Sequence, residues 1–416
     1  MDEVFNNKNY DYREELKRII SATKALRNRK QGKETDWTEA AEWHMKYSNI
    51  NKAPALTLTV TLSPTGCEWA RKGGCTMCGE FEGAYKRDTL LKNPQFHIAQ
   101  FVSAITNPLV WETAKREKCD IEWLRINQEG NYINPKEMNV SSQIKILRLA
   151  THIKGIRKIT IESRPQYITK DIVELLAEAI RDSGVELEIG MGVEAENDIV
   201  RNVCINKQEN KDDFVRAVDL LRKYKISALA YIIVKPPFLT EKEAIDEAVK
   251  TVYFARDCGF SRISLEPMAI HPYTLVDALS QTDDYKTPWL WSVVEIVKQC
   301  SDVSYMLGVG GVGYYPIPDS YSHNYCTDEL KCNEQILSLI PIYNKTRDVT
   351  VFDNVSCECK EKWISICKEE LHISLKDRIA IQMGHVESIL DTYIPNNLGT
   401  DTLTRNTRLI ASGSQK

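Results

Sequence analysis

The sequence predicts an α/β fold: a partial (β/α)6 barrel with an N-terminal helical extension and a C-terminal cysteine-containing subdomain. Three observations carry this. Six short apolar runs rich in β-branched residues recur through the middle of the chain. Amphipathic stretches lie between them, with apolar residues at three- and four-residue steps. Polar residues able to meet a ligand fall at the ends of the runs, where a parallel α/β sheet presents its ligand site.

Residues 1–55 are polar and helical in character (YREELKRIISATKALRNR) and form the extension. The barrel is expected over 56–300. Its strands are LTLTVTL (56–62), IEWLRINQ (121–128), RKITIES (157–163), ELEIGMGVE (186–194), ISALAYIIVK (226–235) and SRISLEP (261–267). Helical stretches such as DIVELLAEAIRDS and DDFVRAVDLLRKY separate them. Strands alternating with helices imply a parallel sheet joined by right-handed crossovers. Six units rather than eight favour an incomplete barrel, with a doubly wound open sheet as the alternative. Residues 301–365 break the pattern with a Gly-, Pro- and Tyr-rich loop and a cysteine-bearing segment, expected to bind metal. Residues 366–416 begin as helix and end in a polar tail.

With 43% hydrophobic and 27% charged residues the chain is globular in composition. A net charge of −4 provides no global basic field for nucleic acid. The N-terminus lacks a signal-type apolar core, and no run of about 18 apolar residues suits a membrane span. Twelve cysteines without an export signal read as metal or redox ligands in a reducing compartment. The expected location is the cytoplasm, with no membrane partner.

The motif SPTGCEWARKGGCTMCGEFEG directly follows the first strand of the barrel. Seven residues separate Cys67 from Cys75, and two separate Cys75 from Cys78. Three thiolates on one loop can coordinate three irons of a [4Fe–4S] cluster, leaving the fourth iron open. A zinc site is the competing reading, and it would need a fourth ligand from elsewhere. The strand ends carry Gln128 and Glu129, Glu162 and Arg164, Glu194, Lys235 and Glu266. A structural ion pair between Glu162 and Arg164 and a solvated Glu129 are the alternatives.

Several blocks resemble the radical S-adenosylmethionine (SAM) superfamily, and more narrowly its elongator-catalytic-subunit-like branch, which includes archaeosine synthases. They are GGCTMCGEFEG, INQEGNYINPKEM, IESRPQYIT, GMGVEAENDIVRNVCINK, VKPPFLTEKEAI, ISLEPMAIHPYT, YKTPWLWSVVEIV and SHNYC, spread over about residues 55–365. The seven-residue gap after Cys67 departs from the commonest superfamily spacing of three. The resemblance implies a cluster on Cys67, Cys75 and Cys78, with SAM at the open iron. It places Gln128, Glu129 and Gly130 at the SAM amino group. Glu162 and Arg164 would hold the ribose and carboxylate, the latter through the two-pronged bond that Arg makes and Lys does not. Glu194 would meet ribose hydroxyls or substrate, and Lys235 and Glu266 would face the substrate. An electron donor such as flavodoxin or ferredoxin is implied, and a partner protein is compatible with the family.

Cys326, Cys332, Cys357 and Cys359 form a second set, C-x5-C followed by C-x-C. Four thiolates suit a structural zinc or an auxiliary Fe–S cluster, and buried unligated thiols are the alternative. His323 is a possible replacement ligand. Cys119, Cys204, Cys258, Cys300 and Cys367 are expected to pack, and His271 is a weaker candidate for substrate contact. The two Trp of PWLWS are expected in the core.

The functional expectation is a radical SAM enzyme. By resemblance to archaeosine synthesis it would take hydrogen from a lysine-type side chain attached to a 7-deazaguanine in tRNA, with a C–N bond then breaking. No basic stretch matches a polyphosphate groove. An amino-acid-like metabolite or a peptide is therefore the competing substrate class. A non-enzymatic zinc-binding scaffold is the reading from another class.

Overall fold

The computed structural model describes residues 11–30, 41–50, 53–62, 66–79, 81, 95–128, 130–310, 331–369 and 372–395. Helix α1 (Arg13–Asn28) precedes a hairpin of β1 (Glu42–Ile50) and β2 (Ala53–Thr61). The chain continues through α2 (Phe96–Ile105), α3 (Pro108–Glu117), β3 (Ile121–Asn127), α4 (Val140–Thr151), β4 (Lys158–Glu162) and α5 (Lys170–Ala179). Next come β5 (Glu186–Glu194), α6 (Lys211–Lys223), β6 (Ser227–Val234), α7 (Glu241–Cys258) and β7 (Arg262–Pro267). Then follow α8 (Leu275–Gln281), α9 (Leu290–Gln299), β8 (Leu307–Val309), α10 (Lys331–Thr346), α11 (Cys359–Lys368) and α12 (Leu375–Ile389).

The eight strands form one curled sheet in the order β1 to β8. From β2 onward all pairs are parallel, and β1 runs antiparallel to β2. Strand order follows chain order without reversal, so the sheet winds as a barrel does and not as a doubly wound sheet. The six expected strands are β2 to β7. Residues 42–50 were expected to be helical and instead form β1. In EWHMKYSNI, Trp43, Met45 and Tyr47 alternate with His44, Lys46 and Ser48, the two-residue period of a strand. At three residues, β8 is too short to leave such a pattern.

One face of the sheet meets the helices through side chains such as Ile159, Ile161, Leu187 and Ile189, packed with Leu147, Leu176, Phe214 and Val252. The other face lines the barrel interior and is polar. Near the strands' amino ends, Glu188 is fully buried between Lys158 (2.8 Å) and Arg262 (2.6 Å). These cations outweigh the cost of burial and hold its carboxyl far below the usual range. Farther along, Arg125 donates to the Tyr231 hydroxyl (2.8 Å), which donates to Glu162 (2.7 Å).

A second apolar cluster lies over the carboxyl-end loops. It joins Ile19 and Leu26 of α1 to Val200, Ile205, Leu275, Leu279, Ile379 and Met383. Arg18 adds a two-pronged bond to Glu387 (2.7 and 2.8 Å), tying α1 to α12. Segments from both ends of the chain thus wall the cysteine-bearing end of the barrel.

Candidate metal and cofactor site

The loop after β2 carries Cys67, Cys75 and Cys78, each partly buried. A short helical turn, Glu68–Lys72, separates the first from the other two. Three contacts seat the second part on the loop after β5. Thr76 donates through its backbone to Ile205 O (2.9 Å) and through its hydroxyl to Cys204 O (2.9 Å). Asn206 donates to Gly74 O (2.8 Å). Trp69 Nε1 reaches Asn206 O at 2.7 Å. Arg27 enters from the last turn of α1, 2% exposed, and its guanidinium donates to Gly73 O (2.5 Å), Cys75 O (2.8 Å) and Cys78 O (3.2 Å). It also lies 4.8 Å from the Phe81 ring centre. One cation therefore gathers three carbonyls of the loop.

The loop after β3 braces Cys67. The Glu137 carboxylate, fully buried, accepts from the backbone of Glu68 (2.8 Å) and Asn131 (2.5 Å) and from the amides of Asn131 (2.9 Å) and Asn134 (2.8 Å). Gln128 donates to Glu137 O (3.0 Å), so its side chain stiffens this loop. Gly130 sits where a Cβ would meet Glu137 Oε2 at 2.5 Å and Cys67 N at 3.2 Å, so a side chain there would push on both loops. Asn131 Nδ2 lies 3.8 Å from Cys67 Sγ. Glu129 lies outside the described residues.

Beyond the cysteines is a buried charge cluster. Arg164 donates through Nε to Glu209 (2.5 Å) and through Nη2 to Lys207 O, with its guanidinium 5.4 Å from the Trp69 ring centre. Its two-pronged face is thus already engaged, differing from the expectation of a fork onto a ligand carboxylate. Lys207 pairs with Glu194 at 2.8 Å. Gly192 makes room for that pair, since a Cβ there would overlap both charged ends. Glu194 adopts a left-handed backbone (φ 63°), a conformation costly for non-glycine residues and frequent at functional sites. Burial pushes the Cys75 thiol upward in pKa; Lys207 and Arg164 pull it down, and their partners Glu194 and Glu209 push it up again. Nearby cations favour the thiolate that a metal requires.

The donor set fits an iron–sulfur cluster. Three thiols share one loop, and an amide N–H lies beside one sulfur.

Two other strand-end residues have assigned neighbours. The Lys235 ammonium pairs with Glu241 at 2.7 Å, and Glu241 also accepts from Trp289 N (2.8 Å) and Ser292 Oγ (2.5 Å). Lys235 thus anchors the start of α9. Glu266 accepts from Ser264 Oγ (2.7 Å), and burial pushes its carboxyl up to about 7, against the lowering effect of that bond. A raised carboxyl favours the fold while protonated. That contribution is complete below the ordinary value of 4.5 and is lost as pH rises through about 7. Melting temperatures of the native chain and Glu266→Gln should therefore diverge between about pH 5 and 7.5, the native chain falling relative to the variant. A pH-independent difference would remove Glu266 as the titrating group.

Cys332, Cys357 and Cys359 converge elsewhere, beside α9, and Cys326 and His323 lie outside the described residues. Trp289 and Trp291 are buried at 3% exposure, in keeping with the core role expected of them. Sequence reasoning missed Arg27, Glu137, Asn131, Lys207 and Glu209. Four of these fall inside quoted blocks or within two residues of one, so block membership was a usable signal. Arg27 left no signal beyond its place on the apolar stripe of α1.

The chain matches no protein-family model. It is 28% identical over 397 residues to the uncharacterized protein MJ0550 of Methanocaldococcus jannaschii, covering 94% of this chain and 100% of that one. It is 28% identical over 327 residues to archaeosine synthase subunit beta of Methanosarcina acetivorans, covering 77% and 88%. The archaeosine synthase subunit beta of Thermococcus kodakarensis is 26% identical over 329 residues, covering 78% and 95%. The chain thus resembles archaeosine synthase subunit beta through most of both lengths. Among solved structures, methylornithine synthase aligns over 88% of this chain and 99% of its own at 9% identity and a TM-score of 0.36, too remote to bear on function.

Proposed function

We propose that this chain is a radical SAM enzyme, with Cys67, Cys75 and Cys78 holding a [4Fe–4S] cluster. The observation that carries this reading is the three-cysteine loop, fixed at the carboxyl end of a parallel barrel by Arg27, Glu137 and the loop after β5. Cys67, Cys75 and Cys78 would hold the cluster, which with SAM bound would supply the chemistry for taking hydrogen from an unactivated carbon. The chain's own residues arrange the site around that chemistry. Gln128 and Gly130 shape the loop beside Cys67, with Glu129 between them in sequence. Arg164, Lys207, Glu194 and Glu209 form a polar wall beside Cys75, and Arg164 acts by positioning rather than by forking onto SAM. Glu162 and Glu266 line the interior within electrostatic reach of Arg125, where a substrate would lie.

The resemblance to archaeosine synthase subunit beta supports tRNA carrying a lysine adduct on 7-deazaguanine as substrate, together with a partner subunit and a flavodoxin- or ferredoxin-type donor. The net charge of −4 favours the competing class, an amino-acid-like metabolite or a peptide. The test is release of 5′-deoxyadenosine under reductant with adduct-bearing tRNA, unmodified tRNA or no addition. A rise confined to the adduct supports the tRNA reading. Equal release in all three contradicts it.

A further inference from the structure

We propose that Cys332, Cys357 and Cys359 hold a structural zinc ion that pins the C-terminal helices to the barrel. Their sulfurs all lie within 4.8 Å of one another, and Cys332 Sγ and Cys359 Sγ are 3.2 Å apart. A single ion with Zn–S bonds of about 2.3 Å draws tetrahedral ligand sulfurs to about 3.8 Å. A cubane spreads its thiolates wider, because each binds a different iron. The trio therefore suits one ion, and sulfur-rich tetrahedral coordination is what zinc takes in closed structural sites. These three supply three of its four ligands.

The surroundings favour thiolate. Cys332 and Cys359 are 0% and 2% exposed and lie in the first turns of α10 and α11, where the helix dipole favours negative charge. The Trp291 indole donates to Cys359 Sγ at 3.4 Å, a hydrogen bond of the kind that orients a metal ligand. From this point a chain of contacts runs to the barrel. Trp363 of α11 donates to Ser292 Oγ (2.8 Å), Ser292 donates to Glu241, and Glu241 holds Lys235 at the end of β6. The ion joins segments 25 residues apart in sequence and fixes α11 against that chain.

The test is metal analysis of the full chain, independent of any SAM chemistry. About one zinc per chain is expected. Cys332→Ser and Cys357→Ser should each remove it and leave the iron at the other site unchanged, whereas Cys67→Ala should remove iron and leave zinc. Because Cys332→Ser alters a buried position, cobalt substitution of the native chain serves as a second measurement. A sulfur-to-cobalt charge-transfer band, absent in the half-buried variant Cys357→Ser, is expected. Zinc that persists in both serine variants, iron and sulfide lost with Cys357→Ser, or no such band in the native chain would each overturn the proposal.

Discussion

Cys75→Ala is expected to abolish both cluster assembly and 5′-deoxyadenosine formation while the chain stays folded. Three thiolates are all the protein offers three of the cubane's irons, so loss of one opens a second iron to solvent and exchange. Cys75 packs against the apolar cluster over the carboxyl-end loops and feels Lys207, Arg164 and Glu194, surroundings that the core cysteines do not share. Iron after anaerobic reconstitution should fall from about four per chain to below about one. Circular dichroism should be unchanged, because Thr76 keeps its backbone bonds to Ile205 and Leu275. The control is Cys300→Ala, a fully buried core cysteine that packs near Val297 and Val303; its iron content should match the native chain. Retained iron and turnover in Cys75→Ala would strike it from the ligand set.

The second large effect is expected from Arg27→Met, a change more than 40 residues upstream of the nearest cysteine–cysteine pair it serves (Cys75 and Cys78). Methionine keeps the apolar stem against Phe81 and deletes the donors to three loop carbonyls. Bonds from a charged donor are worth about 1.5–3 kcal/mol each, and of the three carbonyls Cys75 O keeps the bond it accepts from Cys78 N (3.2 Å). A loss of roughly 3 kcal/mol or more is therefore expected, concentrated in the segment bearing Cys75 and Cys78. The variant should take up several-fold less iron on reconstitution, with Arg27→Lys intermediate because one ammonium cannot span three carbonyls. Native-like iron uptake by Arg27→Met would show that the loop is held without it.

The barrel was legible because its strands repeat a local pattern. LTLTVTL and ISALAYIIVK announce themselves as buried strands, and the loops after them are forced to one end by parallel pairing. That logic also puts Cys67, Gln128, Glu162 and Glu194 at or just after the carboxyl ends of their strands. It failed where the signal was not local. Arg27 looks like any cation on a surface helix, and only tertiary packing of α1 against Val200 and Leu275 aims it at the loop. Arg164 and Lys235 were correctly placed at strand ends. Their partners Glu209 and Glu241 lie 45 and 6 residues away in sequence, and spacing does not reveal which carboxylate claims which cation. Strand β1 was missed for a different reason. Its two-residue alternation is present, but it follows α1 within a polar segment that reads as one helical extension.

The most direct measurement is reductive SAM cleavage by the anaerobically purified full chain. A brown protein with about four irons at the first site, releasing 5′-deoxyadenosine and methionine when SAM and dithionite are added, is the expected result. A colourless chain that binds zinc through Cys67, Cys75 and Cys78 and leaves SAM intact under dithionite would contradict it.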